Sequence, residues 1–401
     1  MDKKTLTSLP KAQDLVLEYV NCLAEVIDCD VEDSLGSILA ESQEALIDVP
    51  GHDNSAMDGY AVRCSDILKG GRTLPVSQVI KAGSAASELE AGTMARIFTG
   101  APIPAGADAV VIQEDTKRED EQVQILEVPT PGQHVRMKGH DIRQGTPVLD
   151  SGHRLRPQDL GLLSSLGIKQ VPVRKALTVA IINTGDEIIA PGQPLQPGQI
   201  YDSNSYTLQA LLNSFGFKTL KIGIIADTLA ETEEALSEAS QKADCVISTG
   251  GVSVGEADFV RAAVSNLGEI ALYKLAIKPG KPFSFGSIET TPFFGLPGNP
   301  VAVFVTFMML VLPALMKMQG ASQFVLPVIP AKAGFEIGRT GSRLEFIRVR
   351  MENNRLIPFA DQGSSIMTSL SWADGLAEIP IDSTVSEGQT VNYYPFNGLL
   401  G

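Results

Sequence analysis

The chain has 401 residues, 44% apolar and 20% charged, so it is long and apolar enough to fill more than one core. Its formal charge of −15 excludes nucleic acid as a main partner, because a phosphate backbone needs a basic surface, and it disfavours an anionic membrane for the same reason. An anionic ligand must therefore meet a local basic island. Cys22, Cys29, Cys64 and Cys245 form no CxxC pair, and His52, His134, His140 and His153 form no HExxH pattern. The expectation is reduced thiols in a cytoplasmic protein, with neither a disulfide framework nor histidine-based metal chemistry. MDKKTLTSLPKAQD at the start lacks the apolar stretch of a signal peptide.

In chain order, residues 10 to 48 read as helical. Leu15, Val16, Tyr19, Val20, Leu23, Val26 and Ile27 fall at the spacing of one helix face, and a second helical piece runs from Asp33 to Ala40. From 49 to 145 the runs LPVSQVI, MARIFTG, DAVVIQE and QVQILEV, broken by Gly and Pro turns, predict a compact β-rich module. Near its start, DNSAMDGYAV (53–62) packs two carboxylates, an amide and a hydroxyl ahead of its first bulky residue, Tyr60. Turn chemistry alone explains the Asn and Gly. HRLRPQDLGLLSSLGI (153–168) returns to helix. Residues 1–48 and 146–174 then read as one helical domain, with 49–145 inserted into it.

From 175 to 325 strands and helices alternate, which implies βαβ units and a mainly parallel sheet. Val301 to Met316 carries no charge, but it is shorter than the roughly 20 residues of a spanning helix and contains Pro313, so it reads as a buried or dimer-contact helix. From 326 to 401, EFIRVRM and RLIPFA flank Glu352-Asn353-Asn354, a hairpin signal, and TVNYYPF follows. This reads as a small β-barrel-like domain. The fold class is multidomain α/β plus β.

In parallel sheets ligands bind beyond the carboxyl ends of the strands. Here those ends are Asn183-Thr184-Gly185-Asp186-Glu187, Asp227-Thr228 and Ser248-Thr249-Gly250-Gly251-Val252-Ser253, the last followed by Glu256 and Asp258. Lys278-Pro279-Gly280-Lys281-Pro282 and Pro297-Gly298-Asn299-Pro300 complete the set. Thr249-Gly250-Gly251 is either a tight turn or a row of N–H groups for an anion. The helix opening at Asn299 offers its first amides in the same way. Lys278 and Lys281 are either solvated or two cations held by the flanking prolines. Glu187, Asp227 and Asp258 are either helix-start acids or hard oxygen ligands suited to Mg²⁺. Together the loops predict a phosphate-bearing, Mg²⁺-dependent ligand, and leave hydrolase, nucleotidyl transferase and passive binder open.

With these loops laid out, the chain resembles the molybdopterin molybdenumtransferases, the molybdenum insertases that include the catalytic domain of gephyrin. The matching stretches are DNSAMDGYAV, FTGAPIPAGADAVVIQEDT, GHDIRQGTPVL, NTGDEI, PGQIYDSNSYTL, STGGVSVGEADF, LAIKPGKPFSFG and GLPGNPVAVF, in family order along the whole chain. The resemblance implies four domains and a homodimer whose site lies between the α/β domain of one subunit and the inserted module of the other. It implies that adenylylated molybdopterin and molybdate give molybdenum cofactor and AMP, with Mg²⁺ assisting. Glu187, Asp227 or Asp258 would hold the metal. Lys278 and Lys281, with Arg348 and Ser364 or Ser365, would hold molybdate, and Lys274 would join the catalytic set. Asp58, Thr99 and Asp141 would line the cleft from the insertion, the two acids positioning substrate or handling protons. Thr249, Gly250, Gly251, Ser253, Pro297, Gly298, Asn299 and Pro300 would contact substrate. Implied partners are the molybdopterin adenylyltransferase and molybdoenzyme-maturation proteins. Gly51-His52 departs from the Pro and Phe usual before DNSAMDGYA, and Asp374 stands where Asn is common. Neither change removes a charge the reaction needs. The competing readings are a non-catalytic molybdopterin-binding scaffold and a hydrolase of a related pyrophosphate nucleotide.

Overall fold

The computed structural model describes residues 6–251 and 259–396. Its centre is a six-stranded sheet in the spatial order Lys218–Ile225, Thr178–Thr184, Cys245–Thr249, Thr291–Leu296, Ser284–Ile288, Gly268–Tyr273. The first four strands are parallel; Ser284–Ile288 runs against them, and Gly268–Tyr273, antiparallel to Ser284–Ile288, runs with them again. Thr178–Thr184 and Cys245–Thr249 are buried almost throughout, as a strand covered on both faces must be. Helices Leu229–Lys242 and Phe259–Leu267 pack on one face through Leu236, Ala239 and Val260. Helix Asn204–Ser214 packs on the other through Leu208, Leu211 and Leu212.

That second face also carries the apolar helix Pro300–Met318. By length and composition it could cross a membrane, but 89% of its apolar window is buried inside the protein, so its greasy surface is already covered. Its middle turn, Phe307–Val311, is a π-helix. Pro313 has no N–H to give to the carbonyl four residues back, on Met309. The side-chain amide of Gln13, on helix Leu9–Tyr19, donates to that Met309 carbonyl instead, at 2.9 Å. Gln13→Leu should therefore lower unfolding stability by about 1–2 kcal/mol, the cost of an orphaned buried carbonyl, read as a lower urea midpoint.

The helical reading of residues 10 to 48 needs correction. Helix stops at Tyr19, and β-branched Val26 and Ile27 begin a strand, Val26–Asp30, which pairs antiparallel with Gln170–Arg174. Leu23, Val26 and Ile27, expected on a helix face, are exposed. Asp33 to Ala40 forms no helix. A single 3₁₀ turn, Val31–Asp33, is followed by Gly36 at φ +76°, and Ile38 and Leu39 bridge to Arg154 and Val173. The segments on either side of residues 49–145 thus meet each other, since Gln43–Glu44 also pairs with Pro147–Leu149. Helix Pro157–Ser165 closes this small core on Leu155, Leu163 and Val171.

Between those segments lies a second six-stranded sheet, ordered Ala109–Ile112, Gly59–Val62, Met94–Ile97, Thr73–Ile80, Gln122–Ile125, Thr116–Glu119. The third sheet is C-terminal. Its strands Leu344–Glu352, Arg355–Pro358, Ile329–Ala333, Thr390–Pro395 and Gly375–Ile379 each pair with the next, and the last pairs back with the first, closing a five-stranded barrel. Asn353 and Asn354 make the tight turn of the first hairpin, both with positive φ (48° and 62°). The apolar run EIALYKLAIK (269–278) divides at Lys274, whose φ is +66°. Gly268–Tyr273 stays in the α/β sheet, whereas Ile277–Lys278 crosses over and pairs parallel with the barrel strand Leu344–Glu352. Lys278 therefore stands where the two sheets meet.

Candidate active site

The carboxyl ends of the parallel strands open into a cleft of 910 Å³. Glu187, Asp202 and Asp227 lie on its acidic edge, Lys278, Lys281 and Arg343 on its basic edge. Gly250 and Gly251 line it, as do Pro297, Gly298, Asn299 and Pro300, and the C-terminal loop Gln362 to Ser365 contributes a further wall. The loops after Lys218–Ile225, Thr178–Thr184, Cys245–Thr249 and Thr291–Leu296, far apart in sequence, share one cavity because the sheet order places those four strand ends side by side.

Backbone geometry dictates the glycine of the central loop. Gly250 has φ +90°, and a Cβ there would sit 2.3 Å from the carbonyl oxygen of Thr184. Thr249 itself does not face the cleft. Its side chain is 1% exposed; its hydroxyl donates to the Pro297 carbonyl at 2.9 Å and accepts from Asn204 Nδ2 at 2.9 Å. The expected substrate contact is thus a strut between two cleft loops. Asn299 Nδ2 donates to Ser364 Oγ at 2.9 Å, and Val301 N to the Ser364 carbonyl at 3.1 Å, so the start of the apolar helix is tied to the C-terminal wall.

On the acidic edge, Asp227 is only partly exposed and its Oδ1 is buried with no hydrogen-bond partner among the described residues. Its backbone N–H donates to Asp186 Oδ1 at 3.2 Å. Burial first, then the nearby Asp186 and Glu187 charges, push the Asp227 carboxyl above the usual carboxylate range. An orphaned oxygen in a patch of excess negative charge fits a bound cation. Among the described residues no three His, Cys, Asp or Glu side chains converge on one metal position. One or two carboxylates completed by substrate phosphate oxygens is the usual arrangement for Mg²⁺. Ser253 and Asp258 lie outside the described residues.

On the basic edge, Lys278 Nζ pairs with Glu345 Oε1 at 2.7 Å across the junction between the sheets, and Lys281 is exposed. Two residues expected here lie elsewhere. Lys274 does not line the cleft; its ammonium sits 4.9 Å over the Tyr273 ring, because the backbone turns at that residue. Arg348 is 1% exposed and cannot hold molybdate as a surface cation would. Its Nε donates to Ser369 Oγ and its Nη2 to the Gly363 carbonyl, both at 2.9 Å. It therefore fixes the wall that carries Ser364 and Ser365. Burial drops its pKa to about 10, still charged at neutral pH. Arg348→Ala should cost about 1.5–3 kcal/mol, the loss of charge-assisted hydrogen bonds to Ser369 and Gly363, and weaken molybdate binding through the freed loop; melting and molybdate titration check the two effects.

Asp58, Thr99 and Asp141 do not line the cleft of their own chain. Asp58 precedes Gly59, where a Cβ would lie 2.0 Å from the Val111 carbonyl oxygen, so only glycine lets the strand Gly59–Val62 pair so closely. Asp58 Oδ1 accepts from both the N–H and the hydroxyl of Thr99, each at 2.8 Å. The Thr99 N–H, then its hydroxyl, hold the carboxyl below its ordinary range. Asp53 Oδ1 accepts from Lys138 N at 2.7 Å, and Ser55 pairs with Val135. The first acid of DNSAMDGYAV thus fastens the module, and the second is an exposed, ionised carboxylate held by Thr99. Asp141 is exposed.

Asp202, Asn204, Arg343 and Gln362 line the cleft without having been singled out by sequence reasoning. Asp202, ahead of the following helix, accepts from Ser205 N in its first turn at 3.0 Å and from the Ser205 hydroxyl. The stretch PGQIYDSNSYTL marked Asp202 and Asn204, but nothing in its spacing set them beside the TGG loop.

Residues 7–167 match the family region described as MoeA N-terminal region (domain I and II). Residues 180–317 match the probable molybdopterin binding domain, and 330–396 the MoeA C-terminal region (domain IV). A molybdopterin molybdenumtransferase of Haemophilus influenzae is 40% identical over 99% of this chain and 100% of its own length. One from Nostoc is 37% identical over 96% and 93%. The crystal structure of the molybdopterin biosynthesis moeA protein from Pyrococcus horikoshii superposes with a TM-score of 0.86 at 32% identity, covering 98% of this chain and 100% of that one. With three family regions in order and relatives aligned end to end, the chain belongs to the molybdopterin molybdenumtransferase family.

Proposed function

We propose that the protein transfers molybdenum from molybdate to adenylylated molybdopterin, releasing AMP, with Mg²⁺ at the acidic edge of the cleft. The observation that carries this is one cavity lined by both signs of charge: Glu187 and Asp227 border the same space as Lys278 and Lys281. The substrates are anions and the protein is acidic overall, so binding needs both the local cations and something to offset the acids. Bound there, Mg²⁺ would polarise the phosphoanhydride and complete the unpartnered oxygen of Asp227. Lys278 and Lys281 bind oxyanion, with Lys278 leaving Glu345 to do so. Ser364 and Ser365 border the same end, on a loop held by Arg348.

The remaining wall comes from a second copy of the chain. Asp58 is ionised, exposed and preorganised by Thr99, yet faces nothing in its own subunit's cleft. Set against a partner's cleft, Asp58 and Asp141 would position substrate or accept a proton. Single-turnover release of AMP from adenylylated molybdopterin tests the reading. Release that needs both molybdate and Mg²⁺ is expected; tight binding without release would reduce the protein to a molybdopterin holder.

A further inference from the structure

We infer that Asn204 reads the neutral, N–H- or O–H-bearing part of the substrate, dividing the cleft into a heterocycle end and an oxyanion end. The inference rests on the substrate proposed above. Asn204 opens helix Asn204–Ser214, is 8% exposed and lines the cleft. Its Nδ2 donates to Thr249 Oγ1 at 2.9 Å and to the Gly298 carbonyl at 2.8 Å. A carbonyl can only accept, so this contact fixes which end of the amide is nitrogen. Oδ1 then lies on the other side of the planar group, buried and, among the described residues, without a hydrogen-bond partner.

An unpaired buried acceptor costs stability unless a ligand completes it. It also discriminates by chemistry. Molybdate and the ionised pyrophosphate linkage offer only acceptor oxygens at neutral pH, and would meet Asn204 Oδ1 acceptor to acceptor. An amino group or ring N–H of a pterin or purine, or a sugar hydroxyl, would complete it. The basic edge has the opposite preference: Lys278 and Lys281 carry only donors. Asn204 therefore both struts the TGG and PGN loops and selects which end of the substrate lies over them.

The test separates these two tasks. Thr249→Ala removes two strut contacts, Asn204–Thr249 and Thr249–Pro297, and leaves Asn204 Oδ1 in place, whereas Asn204→Ala removes two, Asn204–Thr249 and Asn204–Gly298, and Oδ1 with them. Dissociation constants are measured for each full-length variant with two probes, molybdate alone and adenylylated molybdopterin without molybdate. The expected result is that both variants bind molybdate alike, while Asn204→Ala binds adenylylated molybdopterin about tenfold or more weaker than Thr249→Ala, the loss of one hydrogen bond to a buried group. Melting curves confirm that each variant is folded. Equal affinities of the two variants for adenylylated molybdopterin would overturn the inference and leave Asn204 a strut only. A selective loss of molybdate would overturn the polarity assigned to the cleft. Wild-type protein that fails to bind adenylylated molybdopterin would sink the proposed function itself, and the inference with it; that outcome is read from the wild type and not from the variants.

Discussion

Asp227→Asn is expected to slow single-turnover AMP release by about a hundredfold or more, while melting at or above the wild-type temperature at neutral pH. The two effects share one cause. Asp227 places a buried, unpartnered oxygen beside Asp186 and Glu187, an arrangement that costs stability until a cation arrives. The folded protein holds the Asp227 proton more tightly than the unfolded chain does, so this carboxyl makes stability fall as pH rises through the ordinary carboxylate range to its raised folded value. In acid both states are protonated and the wild type carries no penalty. The thermal advantage of the Asn variant should accordingly be present at neutral pH and vanish towards about pH 4. Melting curves across that range, with turnover assays beside them, decide the matter. A variant that melts lower at neutral pH and keeps its turnover would show Asp227 to be an ordinary structural acid.

The second large effect concerns two copies of the chain. Asp58→Ala and Lys278→Ala homodimers should each be close to inactive. On the proposed shared cleft, a dimer with one subunit of each kind should regain about half of wild-type turnover, because one of its two clefts would then have both walls intact. The premise is that Asp58 and Lys278, although on one chain, do not share a cavity within it. Differently tagged subunits, co-expressed and purified through both tags, supply the mixed dimer. Turnover no higher than that of the homodimers would rule out a cleft shared in this way.

The parts of this architecture visible in the sequence are those governed by local pattern. Alternating apolar runs and helix formers from residue 175 onward announce the βαβ order, and the order places Glu187, Asp227, Gly250 and Asn299 at strand ends that share one cleft. Asn353-Asn354 signals its hairpin because few residues tolerate positive φ twice in succession. What stayed hidden depends on contacts across the chain. Helix periodicity from 20 to 40 looked persuasive, but Val26–Asp30 is claimed by Gln170–Arg174, and Gly36 at positive φ interrupts the rest. EIALYKLAIK reads as one strand, yet its last residues are taken by the barrel. Arg348 and Thr249 have the residue types of ligand-binding groups; only packing shows them buried behind the loops they brace. Asn204 has the opposite history, an ordinary helix-start amide in sequence that lines the cleft in three dimensions.

The most direct test of molybdenum insertion follows the product. Purified protein is incubated with adenylylated molybdopterin, molybdate and Mg²⁺, and the mixture is added to a molybdoenzyme freed of its cofactor. Activation of that enzyme, dependent on molybdate in the first step and abolished by Asp227→Asn, is the predicted result. AMP release of equal rate with and without molybdate, and no activation, would contradict insertion and leave a pyrophosphate hydrolase.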